Sequence, residues 1–128
     1  MEEKVKILIV DDELTNIALI KATLKDLDAE FLLASNGQEG LALAKAEMPD
    51  LIILDVMMPK LDGYKVCGML KSDRRFAQIP VVILSSRAGD DDREIAREVG
   101  ADAYLVKPFD QSELSENVKK LLKGCVKE

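Results

Sequence analysis

The sequence predicts an α/β domain: one sheet of five parallel strands with five helices packed on both of its faces. Three observations carry that expectation. Short aliphatic runs alternate along the chain with stretches whose apolar residues recur every three or four positions. The runs are apolar almost without interruption, as strands covered on both faces must be. Helices placed between such strands demand parallel crossovers, and right-handed crossovers put helices on both sides of the sheet. The 128 residues suit a single domain spanning 1–128, with no internal repeat and no low-complexity tract.

Val5–Val10 is the first strand. Leu14, Ile17, Ile20, Leu24 and Leu27 then give a helical stripe. Glu30–Ala34 reads as the second strand, closed by Ser35-Asn36-Gly37, and Leu41, Ala42 and Ala44 mark a helix ending before Pro49. Leu51–Leu54 is the third strand. It leads through Val56-Met57-Met58-Pro59-Lys60-Leu61-Asp62 to a helix with Val66, Met69 and Leu70 on one face. Pro80 opens the fourth strand, Val81–Leu84, and Ile95, Ala96 and Val99 mark a helix stopped by Gly100. Ala103–Val106 is the fifth strand. The last helix follows Pro108, with Asp110 and Glu113 as its capping pair and Leu114, Val118, Leu121 and Leu122 on its inner face.

Composition removes several kinds of chemistry. The chain has no histidine, which excludes Ser-His and Cys-His nucleophile pairs and most transition-metal sites. Eighteen basic residues against 24 acidic ones leave a net charge of −6, which argues against direct nucleic-acid binding. The first aliphatic run is too short and too early for a signal peptide or a membrane span. Two cysteines, Cys67 and Cys125, outside any CxxC pair suit a reduced, cytoplasmic protein rather than a disulfide framework.

In a parallel sheet all strand C-termini emerge at one edge, and ligands bind there. Asp11-Asp12 follow the first strand, Asp55 the third, Ser85-Ser86 the fourth and Lys107-Pro108 the fifth. Each alone is an ordinary cap or turn residue. Together they are three carboxylates, a hydroxyl and a lysine, and like-charged acids gathered at one place call for a cation. All-oxygen donors with no histidine suit Mg²⁺, while the lysine and hydroxyl suit the oxygens of a phosphoryl group. Asp90-Asp91-Asp92, by contrast, read as acids at a helix N-terminus. The glycine pairs Gly37–Gly40 and Gly63–Gly68 fit helix starts and no phosphate loop.

These residues resemble the receiver domain of bacterial two-component response regulators. The resemblance covers the whole chain and rests on four segments in the family's order: Ile7–Glu13, Asp55–Gly63, Pro80–Ser85 and Gly100–Phe109. It implies the flavodoxin-like strand order 2-1-3-4-5. It also implies Asp55 as phosphoacceptor, and Mg²⁺ held by Asp12, Asp55 and the backbone carbonyl of Met57, with Asp11 holding the metal's waters. Lys107 would pair with the phosphoryl oxygens across a cis peptide to Pro108, and Ser85 and Tyr104 would be the hydroxyl and aromatic switch residues. The implied function is a signalling switch, not an enzyme, phosphorylated by a histidine kinase or phosphotransfer protein. Its output would be the surface of the fourth helix, fifth strand and fifth helix, acting on a partner protein or on an output domain absent from this sequence. Two alternatives stay open. Asp11-Asp12-Glu13-Leu14-Thr15 faintly resembles the DxDxT motif of haloacid-dehalogenase-type phosphatases, and a receiver can also serve only as a scaffold.

Overall fold

A computed structural model describes residues 4–56, 63–86 and 90–123. Its elements are β1 (Val5–Val10), α1 (Leu14–Thr23), β2 (Ala29–Ala34), α2 (Gly37–Glu47) and β3 (Leu51–Asp55). They continue as α3 (Gly63–Lys71), β4 (Val81–Ser85), α4 (Asp90–Glu98), β5 (Ala103–Val106) and α5 (Gln111–Lys123). The strands form one sheet in the order β2-β1-β3-β4-β5, every pairing parallel, so the flavodoxin-like arrangement is present. Met57, Met58, Arg87 to Gly89 and Cys125 lie outside the described residues.

The period of two along each strand divides the core in half. Leu8, Val10, Ile52, Leu54, Val81 and Ile83 meet Ala44 of α2, Val66, Cys67 and Leu70 of α3, and Ala96 of α4. Ile7, Ile9, Leu51, Ile53, Val82 and Leu84 instead meet Ile17 and Ile20 of α1 and Leu114, Val118 and Leu122 of α5. The central strands β1, β3 and β4 thus have apolar contacts on both faces, which explains their unbroken aliphatic sequences.

Several helix positions differ from the sequence expectation. Leu14 is 82% exposed because it is the first residue of α1, past the carboxyl edge of the strands; the buried stripe begins at Ile17. Leu27 lies beyond the helix end and still packs on the same core. Ala42 is exposed. In α3 the buried phase runs Gly63, Val66, Cys67, Leu70, so Cys67 occupies the inner face and Met69 stands outside it. In α4, Ala96 is buried and Ile95 is 39% exposed. Gly37 opens α2 rather than closing β2. Asn36 caps that helix by accepting the Glu39 amide at 2.9 Å, and Glu39 in turn accepts the Ser35 amide at 2.7 Å. At the last helix Asp110 accepts the amides of Ser112 and Glu113. Gly100 has φ of +88°, a left-handed conformation that glycine adopts without strain after α4.

Candidate functional site

Strands β3 and β4 each run one residue further than their aliphatic stretch, so Asp55 and Ser85 sit within the sheet ladder rather than after it. Asp55 pairs with Leu84, and Ser85 pairs with Val106. Asp55 is 4% exposed and Ser85 is fully buried. A polar group in such a place needs partners, because desolvation without them is costly. Asp11 follows β1 and donates its amide to the Ala34 carbonyl of β2, which fixes the acid at the edge of two strands.

The expected constellation comes together at the carboxyl edge of the sheet. Ligand oxygens of Asp11, Asp12 and Asp55 lie within 4.8 Å of one another, and this is the acid group that converges among the described residues. The Lys107 ammonium stands 3.4 Å from Asp55 Oδ2 and 3.5 Å from Asp11 Oδ2. Both distances exceed the roughly 2.7–2.9 Å of a tight charge-assisted hydrogen bond, so the lysine sits between the two acids without closing on either. The Lys107 amide donates to the Ser85 carbonyl at 2.7 Å, joining β5 to β4 at the same level, and the Lys107–Pro108 peptide is cis. A cleft of about 310 Å³ opens over the group, lined by Asp12, Glu13, Asp55, Ser86 and Lys107.

Asp11 carries the electrostatic tension of the site. Its Oδ1 accepts the Glu13 amide at 2.9 Å, whereas its buried Oδ2 has no hydrogen bond among the described residues. Burial pushes the Asp11 carboxyl above the usual carboxylate range; the Glu13 amide and the Lys107 ammonium pull the other way, and Asp55 adds to the rise. An orphaned buried carboxylate oxygen with two further carboxylates facing it fits a hard divalent cation such as Mg²⁺. The donor set has the chemistry that ion prefers.

Tyr104 is half-buried in β5 opposite Ile83, its ring against the α4 side of the core. The triplet Asp90-Asp91-Asp92 begins α4, as acids favoured by a helix N-terminus should. Two further residues show contacts that sequence reading did not supply. Gly63 opens α3 directly against the exit of β3: a Cβ there would stand 2.6 Å from the Asp55 carbonyl oxygen and 2.7 Å from Val56 Cα. The sequence marked Gly63 as a helix start and as the end of the Asp55–Gly63 segment, without this close approach. Lys71, at the other edge of the sheet, gave no signal at all.

Comparison with known proteins bears on the family and the fold. The sequence profile of the response regulator receiver domain matches residues 7–119. The chain is 40% identical over 118 residues to the alkaline phosphatase synthesis transcriptional regulatory protein PhoP of Bacillus subtilis, covering 92% of this chain and 48% of that protein. It is 37% identical over 114 residues to PilG of Pseudomonas aeruginosa, covering 89% of this chain and 84% of PilG. Among solved structures it is similar to the Francisella response regulator 1452 receiver domain, with a TM-score of 0.86 and 31% identity over 95% of this chain and 99% of that one. The chain spans about half the length of the transcriptional regulators it matches. The haloacid-dehalogenase-type phosphatase finds no support in these likenesses. Among the described residues no helix is long and apolar enough to cross a membrane.

Proposed function

The chain belongs to the response regulator receiver family, and on that premise we propose that residues 1–128 form one receiver domain whose Asp55 accepts a phosphoryl group from a histidine kinase or phosphotransfer protein. Receiver domains are signalling switches rather than classical enzymes, and they bind Mg²⁺ at an acidic pocket. In this reading Asp12 and Asp55 would hold the ion together with the carbonyl of Met57, a residue outside the described part of the chain, and Asp11 would hold its waters. The ion supplies charge neutralisation for the phosphoryl oxygens.

An Asp55 carboxylate oxygen attacks phosphorus, the P–N bond of the donor phosphohistidine breaks, and its electron pair stays on the imidazole nitrogen. Lys107, already 3.4 Å from Asp55, offsets the charge that grows as one negative charge becomes about two. The buried Ser85 hydroxyl donates to a phosphoryl oxygen, and Tyr104 turns inward as Ser85 moves. The surface of α4, β5 and α5 then presents a different face to a target protein or to an output domain beyond this sequence. Ligand and phosphate act by shifting a balance between two packings of one fold.

The single observation that supports this most is Asp55 itself, buried within the sheet ladder, beside an ammonium and two further carboxylates. Incubation with Mg²⁺ and acetyl phosphate followed by intact-mass measurement tests it. The parent should gain one phosphate per chain and Asp55→Asn none. An adduct that persists in Asp55→Asn overturns the assignment.

A further inference from the structure

One charged side chain outside the acid cluster bears on the same switch. Arg93 is exposed on α4, and its guanidinium carbon stands 5.2 Å from the centroid of the Tyr104 ring. That separation is within the range at which a cation is attracted to the face of an aromatic ring. The same turn of α4 is also touched by α3: the Tyr64 hydroxyl lies 3.5 Å from the carbonyl of Asp92, the residue before Arg93. A cavity of about 190 Å³ separates α4 from β5 here, bordered by Arg93, Ala96, Arg97 and Tyr104. Tyr104 thus has space on one flank and a cation over its face.

We infer that Arg93 is a positioning residue for Tyr104: its guanidinium over the ring holds the tyrosine in its half-buried orientation and so sets how much of the switched form exists before phosphorylation. The inference rests on the reading of Tyr104 as the switch aromatic. The physical reason is differential contact. The guanidinium keeps its attraction only while the ring face lies beneath it and its own charge stays in water. A ring turned into the core loses that contact, because Arg93 cannot follow without desolvating its charge. Removing the cation therefore favours the inward ring. By reciprocity, whatever favours the inward ring also tightens binding at the acid cluster by the same factor.

The chain has two tyrosines and no tryptophan, so 3-fluorotyrosine labelling gives two fluorine signals, and Tyr64→Phe identifies that of Tyr104. The 128-residue chain is titrated with Mg²⁺ and beryllofluoride as the phosphoryl mimic. Arg93→Ala should move the ligand-free Tyr104 signal toward its ligand-saturated position, raising the inward population about 2- to 5-fold and tightening beryllofluoride binding by the same factor. Arg93→Lys, which keeps a cation, should fall between that variant and the parent. Arg97→Ala, on the rim of the same cavity, should match the parent in both readouts. If Arg93→Ala leaves the Tyr104 signal in place while beryllofluoride still moves it, or if Arg97→Ala moves it equally, the positioning role is wrong and the switch reading survives. If beryllofluoride leaves the Tyr104 signal unmoved in the parent, both fall.

Discussion

Two lysines stand at opposite edges of the same sheet, and their surroundings differ in kind. Lys71, from the end of α3, donates to the Ala77 carbonyl at 3.0 Å, the Ile79 carbonyl at 2.7 Å and Asp102 Oδ2 at 2.9 Å. Its three ammonium protons thus have three acceptors. Asp102 Oδ2 also accepts the Val81 amide at 2.8 Å, and the Asp102 amide returns a bond of 2.8 Å to the Val81 carbonyl. That network ties α3 and the starts of β4 and β5 into a closed set of short bonds. Lys107 instead faces two nearly buried carboxylates at 3.4 and 3.5 Å, and among the described residues one of the facing oxygens, Asp11 Oδ2, has no hydrogen bond. The amino-terminal edge of the sheet is satisfied by its own chain. The carboxyl-terminal edge gathers three carboxylates about one ammonium among the described residues, and the difference separates a structural staple from a site built for a ligand.

Breaking the staple should have the largest effect on stability. Lys71→Met takes the ammonium from the carbonyls of Ala77 and Ile79 and leaves the Asp102 carboxylate with the Val81 amide but no cation, and should cost about 2–3 kcal/mol in chemical denaturation. Adding Asp102→Asn should cost less than the sum of the two changes, since both remove one network. At the other edge the sign reverses. Asp11→Asn relieves a buried carboxylate held above its ordinary range by burial, and should raise metal-free stability by about 1 kcal/mol while reducing the thermal stabilisation given by Mg²⁺. A loss of stability comparable to that of Lys71→Met would erase the contrast between the edges.

Cys67 sharpens the comparison through pH. It lies in α3 on the staple's side of the core, and burial pushes its thiol up to about 11, with Lys71 pulling down and Asp102 adding to the rise. The folded protein therefore keeps a proton that the unfolded chain gives up. The associated stability is complete below the ordinary thiol value of 9.0 and is lost as pH rises through about 11. Denaturation of the parent and of Cys67→Ala across that window should show a shallower alkaline decline in the variant. The smallest effect belongs to the surface. Arg75 holds the Asp73 carboxyl down to about 2, so this pair contributes above the ordinary carboxylate range and loses its contribution as pH falls toward 2. At neutral pH Asp73→Ala should melt at the same temperature as the parent, because pairs in water are screened and bring little net stability.

The chain order of elements and the composition of the site were legible before any coordinates, because both leave local marks. Four consecutive aliphatics running straight into Asp55 announce a buried strand with an acid at its end, and such strands alternating with helices point to parallel pairing beneath them. The missing histidines and the gathered acids likewise pointed to oxygen-ligand chemistry. What sequence could not supply was the pairing of residues far apart in the chain. Lys71 looks like any lysine at a helix end, and only the return of Asp102 beside it, 31 residues later, makes it a staple. Met69 and Ile95 fit a helical period as well as Cys67 and Ala96 do; which phase is buried was decided by the sheet beneath. Gly63 looks like a helix start until the carbonyl of Asp55 is seen where its side chain would be. Periodicity and charge are properties of short segments and survive in the unfolded chain. Register, close approach and the placing of a cation over a ring exist only once distant segments meet, and tertiary packing alone decides them.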